Sequence, residues 1–214
     1  MRRQLLRFSS SIALLLVSAV AHAQSKFEGS ITMALGAPQS KTELTYLIRG
    51  DQLRVDVPGA IGMGGYVVSD VGKNSVMMVM PSQRAVMDLG PLQAMAAGGA
   101  AQAAKTPDIK TTGKKETIAG TECEHVVVTV SGDQYDVCGA KGLGSFSPMS
   151  SPMSRGNSAP PGLDRLGKDF FPLRMQKVGG DVLMQVTKIE KKSLDASMFA
   201  VPEGYQKVEL LGRP

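Results

Sequence analysis

Most of the reactive side-chain chemistry in this chain rests on two cysteines and, past the first 23 residues, one histidine. Cys123 and Cys138 are too few for a structural zinc site, which takes four ligands. They are also too far apart in sequence to form the Cys-x-x-Cys of a redox pair. In an oxidising compartment an even count points to one disulfide. The two cysteines lie in strands joined by a turn at Ser131-Gly132. A two-residue loop there pairs Val130 with Asp133, and therefore His125 with Cys138. Cys123 is then the diagonal neighbour of Cys138. Diagonal neighbours lie about 7 Å apart, whereas a bridge wants Cβ atoms about 3.8 Å apart. A small register shift or bulge is expected to close the gap. Any Ser-His or Cys-His nucleophile would depend on His125. That residue shares a strand face with Cys123, Val127 and Thr129 and reads as an ordinary strand residue. No catalytic residue is expected, and no enzyme.

Methionine is the one unusual abundance, with 13 in the chain. Met77, Met78 and Met80 cluster, and Met87 lies across the next turn. Thioethers in a periplasmic protein can bind Cu(I). Alternation, however, sets Val76, Met78 and Met80 on one strand face and Met77 and Val79 on the other, and a strand apolar on both faces is covered on both. Methionine also suits adaptable apolar surfaces. Core packing or the lining of a greasy site is therefore expected, with copper as an outlying alternative. Met149 and Met153 add a hint of adaptable contact. Asp51, Asp56 and Asp70 sit near strand ends, as turn residues do. Metalloprotease, Walker and dinucleotide motifs are absent from the sequence, and Gly62-Met63-Gly64-Gly65 lacks the following helix a phosphate loop needs. The expected cofactor and metal sets are empty.

The elements that position these residues are mostly strands, read from period-two alternation. The runs are Phe27 to Leu35, Glu43 to Arg49, Leu53 to Val57, Tyr66 to Asp70, Ser75 to Met80 and Ala85 to Leu89, with turn residues between them. Strands resume at Lys114 to Ile118, Glu122 to Val130, Tyr135 to Cys138, Phe171 to Met175 and Val182 to Lys191. Pro91 to Ala104 is alanine-rich and reads as a short helix or loop starting at Pro91. Gly142 to Gly162 reads as a flexible loop, and Ser193 to Phe199 as a short helical turn. The fold class is mainly β: a single curved antiparallel sheet of about ten strands, a half-barrel with a few short helices.

Arg2, Arg3 and Arg7, the apolar run Ile12 to Val20, and Ala21-His22-Ala23 make a secretory leader. The run is shorter than the roughly 20 residues that span a bilayer. Cleavage is expected after Ala23, leaving residues 24–214 as a single periplasmic β-rich domain without a transmembrane segment. The formal net charge is +5, and the leader arginines supply three of those charges. With no tryptophan and few other aromatics, the chain gives no basis for nucleic-acid binding.

Three stretches together carry a resemblance. The first is Tyr46 to Asp56, followed by Ser69-Asp70 and by Met77 to Arg84. The second is Thr117 to Glu124, with Cys138 downstream. The third is Phe171 to Met175, then Val186 to Glu190, Leu194 to Phe199 and Val201 to Tyr205. Across nearly all of the chain past the leader, this is similar to the bacterial domain-of-unknown-function 4412 family. That family in turn resembles the superfamily of periplasmic lipoprotein carriers. The resemblance implies a curved half-barrel with helices closing an apolar cavity, and it brings no catalytic residues. Such carriers hold a lid closed with an arginine on the sheet. Arg54 lies in roughly the matching strand, but the role is not transferred to it.

The function expected is non-enzymatic binding of a lipid, acyl chain or lipoprotein in the concave face. The lining residues are Met33, Leu44, Tyr46, Ile48 and Val55, then Met78, Met80, Val128 and Met184. The alternative is an envelope structural or interaction protein with a filled core.

Overall fold

A computed structural model describes residues 26–36, 41–57, 64–92, 94, 107–130, 132–144, 146, 166–167 and 169–209. The leader, most of the 91–104 segment and most of the 142–162 loop lie outside them, as do Met149 and Met153. The strands are β1 (Glu28–Leu35), β2 (Thr42–Arg49), β3 (Gln52–Val57), β4 (Gly65–Asp70), β5 (Ser75–Met80) and β6 (Ala85–Asp88). They continue as β7 (Asp108–Ile118), β8 (Thr121–Val130), β9 (Asp133–Ala140), β10 (Phe171–Lys177), β11 (Val182–Lys191) and β12 (Gln206–Val208). All twelve form one sheet in the order β12-β6-β5-β4-β3-β2-β1-β11-β10-β9-β8-β7. The ends of that order are different strands, so the barrel is open.

Two expectations need correction. The sheet has twelve strands rather than about ten, and it is not wholly antiparallel, because β12 runs parallel to β6. β12 is three residues long and fully exposed, so it carries no alternation from which to read it. β7 begins at Asp108, earlier than Lys114; apart from the half-buried Ile109 its first residues are exposed and polar, so they show no alternation. As the outer partner of β8 it is a sheet edge. Its lysines and the pairing irregularity between Thr111 and Lys115 suit an edge that must not recruit another chain.

Local chemistry accounts for the connections. Ala119 and Gly120 both have positive φ (48° and 78°), and Ile118 pairs with Thr121. A two-residue hairpin loop of this primed type matches the strand twist. Gly29 sits where a Cβ would lie 2.0 Å from the Glu190 carbonyl oxygen, so β1 and β11 approach only because the side chain is missing. The chain turns helical at Gly90, just before Pro91. The late helical turn is a 3-10 turn at Ala196–Phe199, capped by Asp195, whose side chain accepts from the Ser197 backbone N–H at 2.8 Å.

The sheet is apolar on both sides over part of its width. The larger cluster unites Ile31, Met33, Leu44, Tyr46, Leu53 and Val55 with Val126, Val128, Val137, Leu173, Met175 and Met184. On the opposite face, Tyr66, Val68, Val79 and Val86 pack with Met77 and Tyr205, and Leu47 packs with Leu194 and Phe199. The C-terminal segment thus covers the back of the sheet.

Candidate functional site: an apolar sheet face and a buried histidine network

Register places the lining residues. Directly opposed residues share a face, so Tyr46, Val55, Val67 and Met78 form one row across β2 to β5. Ile48, Leu53 and Ser69 form the next. Met33 opposes Leu44 on one side and Val186 on the other, and Met184 opposes Met175. Seven of the nine sequence-derived residues meet in one buried cluster: Met33, Leu44, Tyr46, Ile48, Val55, Val128 and Met184. Met80, also buried, and Met78, half-buried, continue the same face along β5 but lie outside that cluster.

The sheet bends towards this face. In a flat sheet β2 and β10, three strand spacings apart, would be separated by about 14 Å. Yet the Tyr46 and Phe171 rings meet edge-on with centroids 6.3 Å apart. Phe146, from the segment after β9, packs against both, at 6.2 Å from Tyr46 and 5.5 Å from Phe171. Leu143, Leu166 and Phe170 join the same cluster. Within this apolar face, two buried hydroxyls have no hydrogen-bond partner among the described residues, those of Tyr46 and Ser69. Burial pushes the Tyr46 phenol well above the ordinary tyrosine range.

The β5 methionines divide between the two faces of the sheet. Met77 packs in the opposite-face cluster, whereas Met78 opposes Met87 on the concave side. Arg54 also faces away from the concave side. Its guanidinium lies 3.7 Å above the Tyr66 ring, and it donates to Asp56 (2.8 Å) and to the Met198 carbonyl (3.1 Å). It therefore ties the C-terminal segment to the back of the sheet and is not in place to hold a lid over the hollow.

The disulfide forms between Cys123 and Cys138, with Cα atoms 5.4 Å apart. His125 opposes Cys138, as the short loop requires, and the β8–β9 register carries no shift. The diagonal is closed without the bulge expected there. Strand twist brings such diagonal neighbours together.

His125 is not an ordinary strand residue. It is 1% exposed, with Nδ1 2.7 Å from Asp136 Oδ1 and Nε2 3.1 Å from Glu116 Oε2. Carboxylates only accept, so both contacts are true hydrogen bonds when both ring nitrogens carry hydrogen. Arg174 donates from Nη1 to Glu116 Oε1 (2.8 Å) and from Nη2 to Glu116 Oε2. Hydrogen bonding from Arg174 holds the Glu116 carboxyl below the ordinary glutamate range against an opposing desolvation, and the Arg174 charge and His125 add to the lowering. The network straps β7 to β10 across the disulfide. Potential ligand atoms of Glu116, His125 and Cys138 lie within 4.8 Å of one another. The Cys138 sulfur is committed to the bridge, so the trio does not supply three metal donors. One signal in the sequence pointed here: the same loop register makes Asp136 a diagonal neighbour of His125. Glu116 and Arg174, 58 residues apart, gave none.

The chain belongs to the family described as a domain of unknown function (DUF4412), which matches residues 27–205. No curated protein matches it. Among solved structures, it is similar to PNGF-II in a C2 crystal form, with 16% identity and a TM-score of 0.50 over 86% of this chain and 31% of that one. It is also similar to MucB in complex with MucA(peri), with 14% identity and a TM-score of 0.44 over 88% of this chain and 59% of that one. The chain spans about a third of the PNGF-II chain, and that likeness is one of fold.

Proposed function

We propose that this chain is a periplasmic, non-enzymatic binding protein that holds a lipid or other acyl chain against the concave face of its half-barrel. The observation that carries the reading is the apolar cluster that runs across one face of the sheet from β3 to β8, rich in Met, Leu and Val, with the unpartnered Tyr46 hydroxyl set within it and that of Ser69 beside it on β4. A broad apolar surface with a few polar points is what a pocket for a greasy ligand offers. The reading includes export by the 1–23 leader, cleavage after Ala23 and a single working domain from Gln24 onward. The Cys123–Cys138 bridge supports an oxidising, extracytoplasmic setting.

The chain contains no tryptophan, which makes an introduced indole a clean reporter. Phe146→Trp places one on the concave face, and Met77→Trp places one on the back. A bromine-labelled acyl chain quenches indoles it touches. Saturable quenching at position 146 with none at 77 supports the proposal. No quenching at either position, or equal quenching at both, defeats it.

A second reading is an envelope structural or interaction protein with a filled core. The packing of Leu143, Phe146, Leu166 and Phe170 onto the face favours it, and absent quenching at both positions is its expected outcome.

A further inference from the structure

Resting on the carrier reading, we infer that the ligand is a neutral acyl ester whose carbonyl oxygen accepts a hydrogen bond from the Tyr46 hydroxyl. Tyr46 is 1% exposed at the centre of the concave face, its ring set against Phe146 and Phe171. Its hydroxyl has no partner among the described residues. A buried hydroxyl without a partner destabilises the fold, and phenylalanine would fill the same space without that cost. The phenol, kept protonated by burial, is a donor in search of an acceptor.

The surroundings say which acceptor. The buried polar side chains among the described residues are Ser30, Ser69 and His125. Ser30 opposes Leu47 on the back of the sheet, and His125 is held by Asp136 and Glu116. Only Ser69 shares the face with Tyr46, two strands away, and its hydroxyl is unpartnered too. Among the described residues no buried lysine or arginine lies on that face to meet a carboxylate, and an unpaired charge in an apolar interior is strongly disfavoured. An ester carbonyl needs no counter-charge. It satisfies the phenol, and its alkyl chain covers the neighbouring methionines and valines.

The test compares wild type with Tyr46→Phe by displacement of the fluorescent probe N-phenyl-1-naphthylamine. The competitors are methyl decanoate, decane and, at pH 8, decanoate. Wild type is expected to bind methyl decanoate about tenfold more tightly than decane, the scale of one hydrogen bond in a dry site. Tyr46→Phe should erase that difference, leave decane unchanged and raise the melting temperature of the empty protein. The last readout confirms that the variant folds and that the hydroxyl is orphaned without ligand. An ester preference that survives Tyr46→Phe, equal affinity of wild type for ester and alkane, or tightest binding of the decanoate anion overturns the inference while the carrier reading stands. Failure of all three compounds to displace the probe from wild type overturns both.

Discussion

Reducing the Cys123–Cys138 bridge should lower stability by an amount that follows from its place in the chain. The bridge closes a loop of 15 residues between adjacent strands. Cross-linking a loop of that length restricts the unfolded chain by about 3 kcal/mol. For a domain of this size that is a fall in melting temperature of about 6 to 12 °C. Reduction with a phosphine removes no heavy atom, so it leaves no cavity of the kind that replacing the cysteines by alanine would create. The native network of Glu116, His125, Asp136 and Arg174 continues to strap β7 to β10. The assay is urea denaturation and thermal melting, each with and without reductant. If the bridge acts on the unfolded state, the reduced protein also shows a larger urea m value, because its unfolded chain is less compact. A melting temperature that moves by less than about 2 °C refutes the chain-entropy argument. So does a drop accompanied by loss of near-ultraviolet dichroism at low temperature, which would locate the effect in the folded state.

Two further predictions concern the ion network and the β1–β11 contact. The folded Glu116 carboxyl is held below its unfolded value, so its contribution is present above the unfolded pKa and lost as pH falls through the folded one. Its pair with Arg174 is partly exposed to solvent, so the acid-labile part is about 1 kcal/mol. Arg174→Gln should flatten the decline of the urea midpoint in acid, and an unchanged acid slope would show that the pair does not matter. Gly29→Ala should cost about 3 kcal/mol, because its Cβ would strike the Glu190 carbonyl from a φ of 156°. Gly113→Ala, with φ of 72° and open space around it, should cost about 1 kcal/mol. Equal urea midpoints for the two variants would contradict the contact.

What was legible in the sequence was what alternation encodes. Strands with one buried face, such as Leu53-Arg54-Val55 and Val126 to Val130, announce both their existence and their inward residues. The hairpin around Ser131-Gly132 is short enough for loop length to set register, and so the bridge and the pairing of His125 with Cys138 could be derived. β12 and the start of β7 were illegible because exposed polar strands have no pattern of their own, and their pairing is decided by tertiary contact. The same holds for the environment of His125. Glu116 and Arg174 reach it from strands that become neighbours only once the sheet is assembled. That Arg54 faces the back of the sheet was readable from its alternation with Leu53 and Val55; its contact with Met198 was not.

The occupancy of the concave face is tested most directly by native mass spectrometry of the exported protein, purified from the envelope fraction without detergent. The account predicts a mass above that of the polypeptide, released on denaturation as a small apolar compound containing an acyl group. A polypeptide-only mass in every preparation, unchanged after incubation with acyl esters, would contradict it.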